Sequence, residues 1–517
     1  MAKIILVRIP NLFAAGALTL SATPPIFLVY LAGSLRTYGH QVKVLDSVGE
    51  AIEQVYPFGK KNLFINGLTI DEILKRIPDD SKYIGVSFPF SHEWPIGRRL
   101  CEAIKKNFPH ATLIAGGEHI TAMPEFCLRT CPAIDILVLG EGEETVVELI
   151  NALEKNSPLQ NIAGLAFRDA SGELIQTPRR NRIIGIDDIP KPAWDLIPLE
   201  TYLAGGYSFG VNIGRTIPII ATRGCPYQCT FCSNPSMWTT RWLARDPLKV
   251  VEEMEEYMRT YNVQNFDFYD LTAIVRKDWT VEFCNLLINR KLNITWQLPS
   301  GTRSEALDDE VTDLLYRSGC RNLSYAPESG SPETLKKIKK KINPDRMVES
   351  MKASIRNKIN IKANIIVGFP GERLKNIFET YQFIVRMAFV GVGDVGVWTF
   401  SAYPGSEIFN DLKKQNRLPE FNDDYFTSLL SYSDLKNVVS WNEHFPNTTL
   451  KYLRLFGLIL FYAVSYTVRP VRLFRNIRNI VRHKPQTRLE MIVEKALYRH
   501  KKTTRESMSP ALTNSNL

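Results

Sequence analysis

Thr222-Arg-Gly-Cys-Pro-Tyr-Gln-Cys-Thr-Phe-Cys232 is the stretch from which the rest of the chain is read. Its Cys225, Cys229 and Cys232 follow a C-x3-C-x2-C spacing, which offers three thiolates to one metal centre and leaves room for a fourth, non-protein ligand. Such a donor set suits a [4Fe–4S] cluster with one open iron. Structural zinc is the rival reading, but it wants four protein ligands, and no other His or Cys lies nearby in the sequence. A disulfide between such near neighbours would be strained. The apolar run Ile217–Thr222 leads into the loop as a strand, and Asp246–Tyr261 follows with helical periodicity.

Upstream, residues 3 to 154 alternate strand and helix signals. Lys3–Ile9, Gln41–Asp46, Tyr83–Phe88, Thr112–Ala115 and Asp135–Leu139 read as buried strands. Pro25–Tyr38, Thr69–Ile77, Pro95–Asn107, Pro124–Cys131 and Glu143–Glu154 read as helices. The fold class is therefore α/β, with an N-terminal doubly wound parallel sheet that binds ligand at the carboxyl ends of its strands. Those ends carry Ser87 and Ser91, then Gly116, Gly117 and His119, then Glu141 and Gly142. Glycine admits close backbone approach there, and Ser and His supply polar contacts. No G-x-G-x-x-G follows the first strand, which argues against a dinucleotide. His40 and His110 are expected on the surface.

Residues 161 to 177 read as a hairpin about Asp169-Ala-Ser-Gly172, and Asp187 to Pro198 as an irregular, proline-broken linker. After the cluster loop, strand and helix signals alternate again to about residue 415, as a parallel (β/α) barrel requires. The expected domains are 1–155, the ligand-binding sheet; 156–215, hairpin and linker; 216–415, the barrel; and 416–517, a helical, basic C-terminal region.

The chain of 517 residues carries a net charge of +10. Lys451 to Arg505 alone carries +12, which leaves the remainder at about −2. The basic character thus belongs to a tail rather than to a nucleic-acid face, and no nucleic-acid partner is expected. The lysines from Lys336 to Lys341 lack interleaved aromatics and read as a solvated helix end. Leu455–Val468 is apolar but short of the roughly 20 residues that span a bilayer. Pro470–Arg482 reads as a basic amphipathic helix, with arginines at 472, 475, 478 and 482 and with Leu473, Phe474, Ile477 and Val481 opposite them. Peripheral contact with an anionic membrane and packing on the barrel are the two readings of this helix. Cys101, Cys127, Cys131, Cys284 and Cys320 read as buried small hydrophobes. No secretion signal is evident, and the expected setting is cytoplasmic, with peripheral attachment to the inner face of the membrane if the tail binds there.

The cluster loop, with Phe231 before its last cysteine, closely resembles that of radical S-adenosylmethionine enzymes. The run from Pro24-Pro-Ile-Phe-Leu-Val-Tyr to Tyr38-Gly-His-Gln-Val-Lys-Val-Leu-Asp46 resembles the cobalamin-binding domain that precedes many of them. The family includes the anaerobic magnesium-protoporphyrin monomethyl ester cyclase and cobalamin-dependent radical methylases. The resemblance implies a partial six-unit barrel and three cofactors: a [4Fe–4S] cluster, S-adenosylmethionine and cobalamin. It also implies a deoxyadenosyl radical that abstracts a substrate hydrogen, and an electron donor such as flavodoxin or ferredoxin. Asp270, Glu328 and Ser329, and Gly368, Pro370 and Gly371 match the family's cofactor-contacting motifs. The family's Asp-x-His-x-x-Gly motif is absent, so no histidine from it would ligate cobalt, and His119 is expected against the corrin or its tail. The first expectation is methylation of an unactivated carbon in a small-molecule substrate, hydrophobic, lipid-like or a natural product. Oxidative cyclisation or rearrangement of a tetrapyrrole-like substrate, and a non-catalytic cobalamin-binding role, are the alternatives.

Overall fold

The computed structural model describes residues 1–17, 22–59, 62–302, 307–494 and 497. Lys495, Arg499, Lys501, Lys502 and Arg505 of the basic stretch lie outside the described residues.

The N-terminal sheet grows from short apolar runs that tolerate burial on both faces, the signature of parallel strands covered by helices. Its core comprises β1 (Lys3–Arg8), α1 (Ile26–Thr37), β2 (Gln41–Asp46), β3 (Tyr83–Ser87), α2 (Trp94–Asn107), β4 (Thr112–Gly116), β5 (Ile136–Val138) and α3 (Glu143–Lys155). The hairpin strands β6 (Leu165–Arg168) and β7 (Leu174–Gln176) complete the order β7-β6-β5-β4-β3-β1-β2. β6 pairs antiparallel with β5, so the hairpin is the edge of this sheet and satisfies backbone groups that β5 would otherwise expose. Strand order reverses between β1 and β3, which sets the ligand crevice at their carboxyl ends. His40, expected on the surface, is only 8% exposed at the turn between α1 and β2, whereas His110 is exposed.

The barrel has six parallel strands in simple sequence order. They are β8 (Thr216–Ile219), β9 (Asn265–Phe268), β10 (Thr295–Thr302), β11 (Cys320–Glu328), β12 (Asn360–Val367) and β13 (Asp394–Thr399). Between them run α4 (Pro247–Tyr261), α5 (Lys277–Asn289), α6 (Asp309–Arg317), α7 (Pro344–Arg356) and α8 (Leu374–Val390). The start of α4 is dictated locally: the Asp246 carboxylate accepts from Leu248 N at 2.8 Å, with Pro247 in the first turn. The linker is packed rather than loose. Trp194 lies 6.4 Å from Tyr257 of α4, and the Tyr202 hydroxyl donates to Asp46 Oδ2 at 2.7 Å.

The C-terminal region finishes the barrel. α9 (Asn447–Val468) lies along α8, where the Tyr381 hydroxyl donates to Leu453 O at 2.7 Å, and α10 (Pro470–Val481) turns away beyond it. The amino-terminal mouth of the barrel is stoppered by residues 486–488, with Arg488 N donating to Asp394 Oδ2 at 2.7 Å. Among the described residues, no helix is long and apolar enough to cross a membrane. Arg454 of α9 is 1% exposed and donates to Val397 O and Asp434 O, both at 2.8 Å. Arg454→Met strips two buried carbonyls of their partners and is expected to cost about 2–3 kcal/mol. A urea titration of the two proteins checks this.

Candidate active site

The carboxyl ends of the two sheets face each other, and three pairs of loops join them. After β3, His92 Nδ1 lies 2.9 Å from the Tyr403 hydroxyl in the loop that follows β13. After β4, Glu118 accepts a hydrogen bond from Ser233, the residue that follows the third cysteine. After β5, Glu141 and Glu143 grip Arg223 at the entrance to the cluster loop, at 3.3 Å from Nη1 and 2.6 Å from Nη2 respectively. Arg182 adds a second guanidinium, its Nε 2.6 Å from Glu141 Oε2. All four members of this ion cluster have side chains less than a tenth exposed.

The cluster loop hangs from that joint. Asp270, two residues beyond β9, accepts from Thr222 N and from Thr222 Oγ1 at 2.6 Å, and from Ala221 N at 3.3 Å. Burial pushes its carboxyl up to about 6 against the pull of these donors. Asp270 therefore braces the loop from behind, with both oxygens engaged by protein. Phe231 packs on Phe369 of the turn after β12, ring centroids 5.6 Å apart, which brings the loop against Gly368-Phe-Pro-Gly371. Gly368 holds φ +86° where a Cβ would stand 2.6 Å from Leu450 of α9, so only glycine makes this turn.

The donor set fits an iron–sulfur cluster. Cys225, Cys229 and Cys232 share one partly buried loop, and none of them is in a disulfide. Burial, with Glu118 and the other two thiols alongside, pushes Cys232 up to about 12, and a bound metal centre would hold it as thiolate. Among the described residues, no three His, Cys, Asp or Glu side chains converge as ligands of a single ion.

Around the loop, polar side chains stand ready for a ligand. Both amide atoms of Asn234 and the hydroxyls of Thr230 and Thr272 are buried and unpaired among the described residues. Glu328, at the end of β11, is buried at φ +65°, a conformation a glutamate adopts only under constraint. Lys340 turns inward to meet it at 3.1 Å, so one lysine of the expected solvated run serves the site. Ser329 is consumed by the fold: its hydroxyl lies 2.9 Å from Thr380 Oγ1 and accepts from Ser331 N.

On the opposing sheet the expected residues divide. Gly117 holds φ +119° with Phe88 O 2.4 Å from where a Cβ would sit, and beside it Gly116 ends β4. Gly140 opens onto free space, and the half-exposed ring of Phe90 lies against His92. These features, with Ser87 half-buried at the end of β3 and Gly142 beyond Glu141, fit a broad planar ligand such as a corrin. His119 does not face it. Its ring is wholly buried between Trp94 and Phe426, with Nδ1 3.0 Å from Ser91 Oγ and Nε2 3.6 Å from Cys127 Sγ. Ser91 and Glu141 are likewise engaged by protein, the latter in the interdomain ion cluster.

Sequence reasoning passed over Arg223, although it stands inside the decisive stretch, because its partner Glu141 lies 82 residues away. It also missed Glu93, 2% exposed at the crevice, whose Oε2 has no partner among the described residues. Burial, opposed by Arg8, pushes that carboxyl up from 4.5 to about 8. The folded protein holds this proton after the unfolded chain has released it. Stability from Glu93 is thus complete below about pH 4.5 and lost as pH rises to about 8. Wild type minus Glu93→Gln is expected to show this fall, at a slope approaching 1.4 kcal/mol per pH unit, in denaturant titrations from pH 5 to 8.

Comparison with known proteins agrees with this geometry. The family model of the radical SAM superfamily matches residues 219–384, and that of the B12 binding domain matches residues 15–150. An uncharacterized methyltransferase of Pyrococcus horikoshii is 28% identical, over 92% of this chain and 94% of its own length. The anaerobic magnesium-protoporphyrin IX monomethyl ester cyclase of Synechocystis sp. is 30% identical, over 66% of this chain and 65% of its own. The solved structure of OxsB, a cobalamin-dependent S-adenosylmethionine radical enzyme with aqua-cobalamin and S-adenosylmethionine bound, shares the fold. Its TM-score is 0.68 at 15% identity, covering 97% of this chain and 75% of that one. With a three-thiol loop at the carboxyl end of a six-stranded barrel and a B12-type sheet facing it, the chain belongs to the cobalamin-dependent radical S-adenosylmethionine enzymes.

Proposed function

We propose that this enzyme methylates an unactivated carbon of a small hydrophobic or natural-product substrate. The reading rests chiefly on the apposition of the two sheets: loops after β3, β4 and β5 meet the cluster loop and the loop after β13. A substrate held there would lie between the two cofactor faces. When bound, the cluster with S-adenosylmethionine supplies radical chemistry, and cobalamin supplies a transferable methyl group. Cys225, Cys229 and Cys232 hold the cluster. Glu328, Asn234 and the Gly368–Gly371 turn contact S-adenosylmethionine, and Gly116, Gly117 and Gly140 line the corrin. Asp270, Ser329 and Phe231 position these groups. Residues 1–155 and 216–415 form the two functional domains, with 156–215 joining them and 416–517 closing the barrel. A flavodoxin or ferredoxin delivers the electron, and eight cysteines with no disulfide between them support a reducing, cytoplasmic setting.

The similarity to a methyltransferase over nearly its whole length favours methyl transfer. The second reading, oxidative cyclisation, is favoured by the 30% identity to a cyclase. S-adenosylmethionine bearing a deuterated methyl group separates them. Labelled methyl in the product supports the proposal. Deoxyadenosine formed alongside a product with an unchanged methyl count supports cyclisation, and absence of deoxyadenosine a binding role.

A further inference from the structure

Helix α10 is packed inside out. Its inward face is polar: Arg472 donates to Val392 O at 2.9 Å and to Gly393 O, while Asn476 and Asn479 are buried beside it. Its outward face is apolar, with Val471, Phe474, Ile477 and Val481 exposed by 78%, 70%, 50% and 67%. The arginine row expected on one solvated face is thus split. Arg472 pins the helix to the barrel, whereas Arg475, Arg478 and Arg482 stay exposed beside the apolar stripe. On the barrel flank α9 also exposes Tyr452, Phe456 and Ile459, and α8 exposes Phe378 and Phe389. Phe456 packs on Tyr381 of α8 at 5.2 Å, and Arg469 donates to Phe389 O and Val390 O at 3.0 Å, which locks the corner between α9 and α10.

We infer that this face docks on an anionic lipid bilayer, with the rings of α10 at acyl depth and Arg475, Arg478 and Arg482 at the headgroups. Charge decides between occupants. From Asn447 to Lys484 the sequence contains Lys451, Arg454, Arg469, Arg472, Arg475, Arg478, Arg482 and Lys484 and no acidic residue. Arg454 and Arg472 are buried, but a second copy docked about a two-fold axis would lay the exposed Arg469, Arg475, Arg478, Arg482 and Lys484 upon themselves, at an electrostatic cost. Anionic headgroups complement them, and apolar rings flanked by arginines on a helix too short to span are the composition of an interfacial helix. Because α10 is anchored where β13 begins, docking engages the end of the barrel opposite the cluster loop and leaves the crevice between the sheets free.

The test uses the full-length, cofactor-loaded protein with sedimented vesicles of phosphatidylglycerol and phosphatidylcholine, and of phosphatidylcholine alone. Expected are binding to the anionic vesicles only, and a decrease in that binding with salt. Phe474→Ser/Ile477→Ser, and separately Arg475→Gln/Arg478→Gln/Arg482→Gln, should weaken it by about tenfold or more. These exposed positions lie at the end of the barrel opposite the cluster loop, so cobalamin and iron contents and deoxyadenosine formation from S-adenosylmethionine should equal wild type. The inference is overturned if wild type ignores anionic vesicles or if both variants bind as wild type does. It is equally overturned if sedimentation equilibrium shows a dimer that the Phe474→Ser/Ile477→Ser variant dissolves.

Discussion

Replacing Cys225, Cys229 or Cys232 by alanine is expected to leave a folded protein without its iron–sulfur centre and without detectable deoxyadenosine formation. Three thiols cannot be reduced to two without opening a second iron, and a doubly open cluster loses iron to solvent and chelators. The fold should survive, because the loop is held by other contacts. Asp270 grips Thr222, Arg223 is clamped by Glu141 and Glu143, and Phe231 packs on Phe369. Iron analysis, the visible absorbance of the reconstituted protein and a denaturant midpoint are the three measurements. Iron at the wild-type level, with deoxyadenosine still produced, would sink the assignment. Loss of the midpoint as well would mean that the cysteines serve the fold rather than the metal.

The second large effect belongs to Arg223. Arg223→Met leaves the Glu141 and Glu143 carboxylates buried, with only Arg182 beside Glu141. Breaking one side of such a buried ion cluster costs about 3–5 kcal/mol. Since the cluster joins the two sheets, the variant should also lose cofactor occupancy: the loop entrance is no longer tied to the loop after β5. Neutralising the stranded carboxylates in Arg223→Met/Glu141→Gln/Glu143→Gln is expected to restore a large part of the stability but not the cofactor content. Urea titrations with parallel iron and cobalamin assays separate the two effects. If the single variant loses less than about 1 kcal/mol, the ion cluster is not what unites the sheets.

Much of this architecture is legible in local pattern. The strands of the N-terminal sheet announce themselves as short apolar runs between turn residues: Lys3–Ile9 is a strand over Lys3–Arg8, and Gln41–Asp46 is one throughout. The start of α4 is written in Asp246-Pro247. The hairpin at 165–176 is equally local, but its attachment to β5 is not, since any exposed edge could have taken it. Side-chain roles divide the same way. Glu328 stands out only once its backbone is seen in the left-handed region. His119, Ser91 and Glu141 look like ligand residues in a sequence because they follow strands, yet each is satisfied by a protein group from another element.

The chain's linear pattern determined that there would be two α/β units and that one loop would present three sulfurs, because periodicity and ligand spacing act over a few residues. Only the folded molecule decided that the two sheets meet carboxyl end to carboxyl end, that Arg223 is the joint, and that α10 turns its rings outward. Those outcomes depend on partners as much as 311 residues apart, where burial of charge and pairing of backbone groups outweigh local preference.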